Sequence, residues 1–128
     1  MSHRYVILLP GDERAWEEAP QEHRDAVYAR HDEFGRRLRE NGHTVVGGAE
    51  LTHSRETHLV RTDADGNVLV SQGPFAETAE QLTGYYEVET DDLEDLLQLV
   101  GLVAGPDHDR AGMGGVEVRR VATEDDRE

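Results

Sequence analysis

The sequence predicts an α+β fold in which two helices cover one face of an antiparallel sheet. Three features favour it: an aliphatic strand near the N-terminus, a long amphipathic helix after it, and a second strand–helix–strand passage in the C-terminal half. With an intervening hairpin set aside, the order is βαββαβ, the ferredoxin-like plan. Because two helices cover only one face of such a sheet, we expect the other face to pack against a second copy.

The first strand and the first long helix carry most of this prediction. The strand Arg4–Leu9 is apolar on both of its alternating faces, which is typical of a strand covered on both sides. Asp12 is expected to cap a short helical turn around Trp16. Pro20 then opens a helix that ends at Asn41-Gly42, a C-cap signal. Its apolar stripe contains Val27, Phe34 and Leu38, and His31 falls on the same stripe.

The remaining elements follow from turn residues and hydrophobic spacing. A second strand runs from residue 44 to 51, where Gly47-Gly48 indicates a bulge or a close backbone approach. A hairpin over 57–62 and 68–71 turns at residues 63–67. A strand over 85–89 precedes a helix with Asp91 and Glu94 in capping-box positions, and the last strand spans 116–121. We expect one domain over 1–122 and a disordered acidic tail over 123–128.

Composition excludes several classes of chemistry. The 128 residues include 13 basic and 28 acidic ones, and the formal net charge is −15. Such a charge argues against nucleic-acid and anionic-membrane partners. All basic residues are arginine and cysteine is absent, which excludes Schiff-base lysines, thiolate nucleophiles and cysteine-ligated metals. With no signal peptide or long apolar run, we expect a cytoplasmic protein.

One stretch, Gln72 to Tyr86 (QGPFAETAEQLTGYY), resembles the signature of the YCII-related family, in the subgroup named for an Asp-Gly-Pro-Phe motif. The residues that match are Gly73, Pro74, Phe75, Glu77, Glu80, Gly84, Tyr85 and Tyr86. The N-terminal YVILL strand, the helix histidine and the Asp-Gly hairpin also fit. Two positions depart from the pattern: Gln72 replaces an aspartate and Ala79 replaces a lysine.

The resemblance implies a dimeric α+β barrel, and hence a homodimer. Function is mostly unassigned in the family, although relatives include a dehydrochlorinase, and the wider superfamily includes isomerases and cofactor-free monooxygenases. In the YCII type a histidine of the first helix is paired with an aspartate. Gln72 can hydrogen-bond at the motif aspartate's position but cannot titrate, so an acid–base role there is in question.

Five residues are candidates for a small-molecule site. A half-buried His31 is suited to act as a general base near neutral pH, although a core histidine satisfied by one hydrogen bond is the alternative. Glu77 is a second catalytic candidate, either as a proton carrier or as an acid that offsets a helix dipole. Gln72, Phe75 and Tyr86 are candidates for substrate binding. On a short helix Glu77 and Glu80 would share a face.

Three functions remain open from the sequence. The first is a cofactor-independent lyase or isomerase that uses His31. The second is a non-catalytic ligand-binding or regulatory homodimer, which the loss of the motif aspartate and lysine favours. The third is a metalloenzyme with His58 as a strand ligand, but no histidine spacing matches a known closed metal site. We therefore expect no metal and no cofactor.

Overall fold

The structure, a computed structural model, describes residues 1–73, 80–104 and 115–127. Within these ranges it is an α+β fold, as the sequence predicts. The elements are β1 (His3–Asp12), α1 (Glu13–Glu18), α2 (Gln21–Glu40), β2 (Thr44–Glu50), β3 (His58–Thr62), β4 (Val68–Gln72), β5 (Glu80–Thr90), α3 (Leu93–Val100) and β6 (Glu117–Arg120). Short 3₁₀ turns lie at Ser54–Glu56 and Glu124–Arg127.

Four strands form the main sheet in the order β2-β5-β1-β6, and each neighbouring pair is antiparallel. The register places Ile7 beside Tyr86, and Tyr86 beside Gly48. A register shift between Val45 and Gly47 confirms the predicted bulge in β2. Strands β3 and β4 form a separate two-stranded sheet.

The core lies on one face of the main sheet. Alternate residues of β1, namely Tyr5, Ile7 and Leu9, are buried, whereas Val6 and Leu8 on the opposite face are only half-buried. Helices α2 and α3 complete the core with Phe34, Leu38, Leu96, Leu99 and Val100. The apolar stripe predicted for α2 therefore faces the sheet at Phe34 and Leu38.

The helix boundaries agree with the sequence except at α3. Asp12 accepts from the backbone N–H of Ala15 and caps α1, and α2 runs between Pro20 and Asn41 as predicted. The expected capping box at Asp91 and Glu94 is wrong. The cap is Asp92, whose side chain accepts from Asp95 N–H, because the chain leaves β5 one residue later than predicted.

Strand β5 is also longer than predicted. It begins at Glu80, so Glu80 belongs to an extended strand and not to a short helix shared with Glu77. Residues 74–79 and 105–114 lie outside the described ranges, and so does Glu77.

The β3–β4 hairpin turns as predicted and exposes apolar side chains. Asp63 accepts hydrogen bonds from the backbone and the side chain of Asn67 and from the backbone of Asp65, and these bonds hold the pKa of Asp63 below its ordinary value. Gly66 supplies the positive φ of the turn. Three valines on one face of the hairpin are largely exposed: Val60 (59%), Val68 (65%) and Val70 (61%).

At the C-terminus, Arg120 makes two hydrogen bonds to Asp126, at 2.9 and 2.7 Å. This ion pair raises the pKa of Arg120 and lowers that of Asp126. It anchors the turn Glu124–Arg127 to β6, while the division into a domain over 1–122 and a tail stays a prediction. Within the described ranges, no helix has the length and apolar character needed to cross a membrane.

Candidate functional site

A large cavity lies at one end of the main sheet. It has a volume of about 1010 Å³ and is enclosed by α1, the first three turns of α2, the adjoining ends of β1, β2 and β5, and the loop after β2. This volume is at the upper end of the range that ligand pockets occupy. His31 and Tyr86, two of the predicted site residues, both line it.

His31 and Tyr86 are directly paired. The Nδ1 atom of His31 lies 2.8 Å from the Tyr86 hydroxyl, and the two rings are nearly parallel, with centroids 5.9 Å apart. Helix α2 supplies the histidine and β5 the tyrosine, so the hydrogen bond joins the helical layer to the sheet. The histidine expected to pair with an aspartate is thus paired with a phenol among the described residues.

Burial keeps the Tyr86 hydroxyl of this pair protonated. It raises the pKa of the Tyr86 hydroxyl, and the nearby Asp32 carboxylate raises it further. Tyr86 is therefore neutral at physiological pH and keeps one proton to donate and two lone pairs to accept. The hydrogen bond can consequently run in either direction, as the tautomer of His31 requires.

The Tyr86 ring is held by close neighbours. Phe34 meets it edge to face, with ring centroids 5.2 Å apart. Gly48 lies beside it at φ +148°, and a Cβ added there would be 2.7 Å from the Tyr85 carbonyl oxygen and 3.4 Å from Cδ1 of Tyr86. Only glycine allows β2 to approach Tyr86 this closely, which explains Gly48 in the predicted bulge.

The loop after β2 is tied to α1 at one side of the cavity. Nδ1 of His53 accepts from the Arg55 backbone N–H at 3.0 Å, so the proton of the neutral ring is on Nε2, 2.9 Å from Glu17. Glu13 accepts from both the backbone and the hydroxyl of Ser54. These bonds fix the loop and engage two of the carboxylates that line the cavity.

Aromatic and acidic groups line the side formed by α2. Tyr28 donates to Glu50 at 2.7 Å, and this hydrogen bond raises the pKa of Tyr28. Trp16 meets the Tyr28 ring edge to face at 5.6 Å. Arg24 lines the same side. The lining is therefore mixed, with aromatic surface suited to a flat apolar group and polar groups at its edges.

The other predicted site residues stand apart from this pair. Gln72 ends β4, is exposed, and lies 3.3 Å from Nε2 of His58 across the hairpin; it is not among the residues that line the cavity. Phe75 and Glu77 lie outside the described residues. Arg24 was not predicted as a site residue. It lies seven residues before His31 and therefore shares a face of α2 with it. A search for apolar stripes does not select a charged residue on that face.

A second histidine cluster, also missed, lies at the C-terminal end of α2. His43 is buried, with Nδ1 2.7 Å from the Thr90 hydroxyl and Nε2 2.7 Å from the Asp95 carboxylate. The hydrogen bond from His43 is the main reason why the pKa of Asp95 is lowered. The Thr90 hydroxyl, which is also buried, is bonded to His43 and accepts from the Asp92 backbone N–H. Thr90, His43 and Asp95 have the order of a nucleophile–base–acid triad. The Thr90 hydroxyl is buried, however, so we interpret the three residues as a connection between the end of α2, β5 and α3.

The residues that the structure describes contain no candidate metal site. Across residues 1–73, 80–104 and 115–127, no group of three or more histidine, aspartate or glutamate side chains is placed to hold an ion. His58, the strand histidine considered for a metalloenzyme, is exposed on the hairpin beside Gln72.

Comparison with known proteins gives a family and no activity. No curated protein matches the chain. The family model of the YCII-related domain matches residues 3–125. This range includes the His31–Tyr86 pair and the motif whose sequence resembles the family signature. The chain therefore belongs to the YCII-related domain family.

Proposed function

We propose that this protein is a cofactor-independent enzyme that moves a proton on a small, flat metabolite, as a lyase or an isomerase does. The observation that carries the proposal is the hydrogen bond of 2.8 Å between His31 Nδ1 and the Tyr86 hydroxyl, at the wall of a cavity of about 1010 Å³. A titratable group beside a space large enough for a ligand is the usual setting of a general base.

His31 has two protonation states with opposite chemical roles in this proposal, and its Nδ1–H donates to Tyr86 in both. When Nδ1–H donates to the Tyr86 oxygen, Nε2 carries a lone pair and can take a proton from substrate. Once Nε2 has taken that proton, the ring is an imidazolium that still donates Nδ1–H to Tyr86, and its Nε2–H can return the proton to the substrate and restore the neutral ring. Tyr86 is a positioning residue for His31 in both states, and in the first state its own proton is available to a substrate carbonyl oxygen.

The motif residues have secondary roles in this proposal. We assign the chain to the Asp-Gly-Pro-Phe subgroup on the match from Gly73 to Tyr86. Phe75 is proposed to form a wall of the substrate site. Glu77 is proposed as a second proton carrier. Gln72 is proposed as a substrate-binding residue that hydrogen-bonds without titrating. A cytoplasmic location remains a prediction.

We further propose a homodimer built on a ferredoxin-like plan, with the two sheets packed as a barrel. The strand order β2-β5-β1-β6 supports that plan. The sheet face opposite the helices carries Val6, Leu8 and a Tyr85 that is 36% exposed, and the hairpin valines are exposed as well. Apolar surface of this kind marks an association site.

The dimer is tested by Tyr85→Arg. Two arginines brought together at a sheet-to-sheet interface repel each other, so the variant is expected to sediment as a monomer where the parent sediments as a dimer. A parent that is monomeric at micromolar concentration contradicts the proposal.

The enzymatic proposal is tested with a panel of phenols and unsaturated lactones. Compounds that raise the melting temperature are incubated with the protein, and their conversion is followed by chromatography and NMR. We expect at least one compound to be converted, and His31→Asn to lower the rate 100-fold or more while His58→Gln leaves it unchanged. If compounds bind but none is converted, the result favours a non-catalytic ligand-binding or regulatory homodimer. That alternative is supported by Gln72, which stands in place of the motif aspartate.

A further inference from the structure

Arg24 occupies a distinctive position in the cavity. It lies on α2 one turn before Tyr28 and two turns before His31, so the three side chains share one face of the helix. Seven residues at 1.5 Å of rise separate the Arg24 and His31 Cα atoms by about 10 Å along the helix axis. The cavity therefore has a cation toward one end of this face and the proposed base at the other.

The Arg24 guanidinium has unused donor capacity. Its Nε is buried and has no hydrogen-bond partner within residues 1–73, 80–104 and 115–127. A guanidinium stays charged at every physiological pH, and a buried polar group without a partner is costly. A cavity wall is where such a group gains a partner when a ligand binds.

The carboxylates around the cavity are engaged elsewhere. Each of the five in the described part of the lining has another partner: Asp12 with Ala15, Glu13 with Ser54, Glu17 with His53 and Arg55, Glu18 with Arg14, and Glu50 with Tyr28. Arg55, the other arginine in the lining, is paired with Glu17. Among the arginines of the described lining, Arg24 is therefore the one that keeps a donor for an incoming acceptor.

The charge balance limits what that acceptor is. The described residues place five carboxylates and two arginines in the lining, so a phosphate dianion or a dicarboxylate meets a repulsive surrounding field. A single carboxylate, delocalised and able to take two parallel N–H bonds, fits a guanidinium best. The Trp16 and Tyr28 rings offer apolar surface beside Arg24 for the body of the ligand.

We propose that the substrate is a small aromatic or unsaturated monocarboxylate, that Arg24 anchors its carboxylate, and that its reactive end lies at His31 and Tyr86. The reactive-end assignment rests on the proposed function, whereas the anchor is a statement about binding alone. Arg24 is accordingly a specificity-determining residue of the site.

The test measures binding by calorimetry and by NMR titration, independently of turnover. The carboxylate probes are 4-hydroxybenzoate, 4-hydroxyphenylacetate and cinnamate; 4-methylphenol is the uncharged counterpart and tyramine the cationic one. In the unmodified protein we expect at least one carboxylate to bind 10-fold or more tightly than 4-methylphenol. Arg24→Met is expected to weaken that carboxylate about 10- to 100-fold and to leave 4-methylphenol unchanged.

Matched variants separate the possible outcomes. Arg36→Met, on the exposed side of the same helix, is expected to leave binding within about twofold. Arg24→Lys keeps the charge without the planar fork and is expected to lose about 3- to 10-fold, which preserves the test if Arg24→Met fails to fold. Turnover is measured separately with His31→Asn, whereas the anchor is judged from binding to the parent and the Arg24 variants, so failure of catalysis and failure of the anchor are distinguished.

Three results overturn the anchor. The first is that none of the carboxylates binds the unmodified protein. The second is that both Arg24 variants bind carboxylates as the parent does. The third is tighter binding of tyramine than of the carboxylates, which would show that the acidic lining selects a cation.

Discussion

Two histidines, His31 in the middle of α2 and His43 just beyond its C-terminal end, have contrasting surroundings. His43 is buried at 3% exposure, and both of its ring nitrogens are bonded, to Thr90 and Asp95. His31 is half-buried, bonded to Tyr86, and lines the cavity. A hydrogen bond of 2.7 or 2.8 Å is common to both, so what separates a structural histidine from a candidate base is the space beside it.

The contrast extends to the neighbouring groups. The partners of His43 are themselves bonded within the fold, since Asp95 also accepts from Asn41 and Thr90 from Asp92. Near His31, Arg24 keeps a donor without a partner in the described residues. The polar groups at the C-terminal end of α2 are thus bonded within the fold, whereas the part of α2 at the cavity keeps the Arg24 donor for a ligand.

The largest expected effect is on stability, from His43→Ala. The change removes the hydrogen bond between His43 and the buried Thr90 hydroxyl and opens a cavity, and we expect a loss of about 2–4 kcal/mol in the free energy of unfolding. Urea denaturation measures it, with the exposed His58→Ala as control. A loss below about 1 kcal/mol would break the contrast, because His43 would then not be structural.

Gly48→Ala sharpens the comparison on the cavity side. The added methyl meets the Tyr85 carbonyl oxygen at 2.7 Å and strains a backbone at φ +148°, and we expect a loss of about 2–3 kcal/mol. Gly42→Ala is the matched control, because its φ is +84° with nothing within 4 Å, and it is expected to lose only about 1 kcal/mol. Equal losses in the two variants would show that the close approach to Tyr86 is unimportant.

Tyr86→Phe tests the positioning role with a smaller effect. Removing the hydroxyl removes the partner of His31 Nδ1, so we expect turnover of a discovered substrate to fall about 10- to 100-fold, with stability changed by no more than about 1 kcal/mol. The pH profile of kcat should shift as well, which a purely structural role would not produce. A loss of turnover that follows the loss of folded protein would contradict this assignment.

The smallest effect is on acid stability, through Asp95. The His43 hydrogen bond holds the pKa of Asp95 below its ordinary value, so the carboxylate contributes stability that is present above about pH 4 and lost as the pH falls through the lowered folded value. In Asp95→Asn the free energy of unfolding should therefore fall less steeply with decreasing pH below pH 4, while its pH dependence near neutrality should be unchanged. An unaltered acid limb would show that the hydrogen bond does not stabilise the charged form.

Much of the fold was predictable because local signals and burial agree. The β1 and α2 patterns, the Gly47-Gly48 bulge and the Asp63 turn all appear as expected. The errors lie at boundaries. Asp91 and Asp92 are both capping residues, and only the exit of β5 selects Asp92. Glu80 joined β5 because pairing with Asp12 extends the strand, a long-range contact that local sequence does not encode.

The site was predictable only in part. His31 was found because a polar residue interrupts an apolar stripe, and Tyr86 because its strand face is buried. The bond between them depends on how α2 lies across the sheet, which the sequence does not specify. Gln72 was selected from the motif alone, and its place on the hairpin beside His58 separates it from the cavity within one chain.

The most direct test of the central claim is hydrogen exchange at carbon in heavy water. The protein is incubated with a bound panel compound, and deuterium incorporation at its acidic carbon is followed by NMR for the parent, His31→Asn and His58→Gln. We predict incorporation in the parent and in His58→Gln, and a rate at least 100-fold lower in His31→Asn. Equal rates in the parent and His31→Asn would contradict the account, and His31 would then belong with His43 as a structural residue.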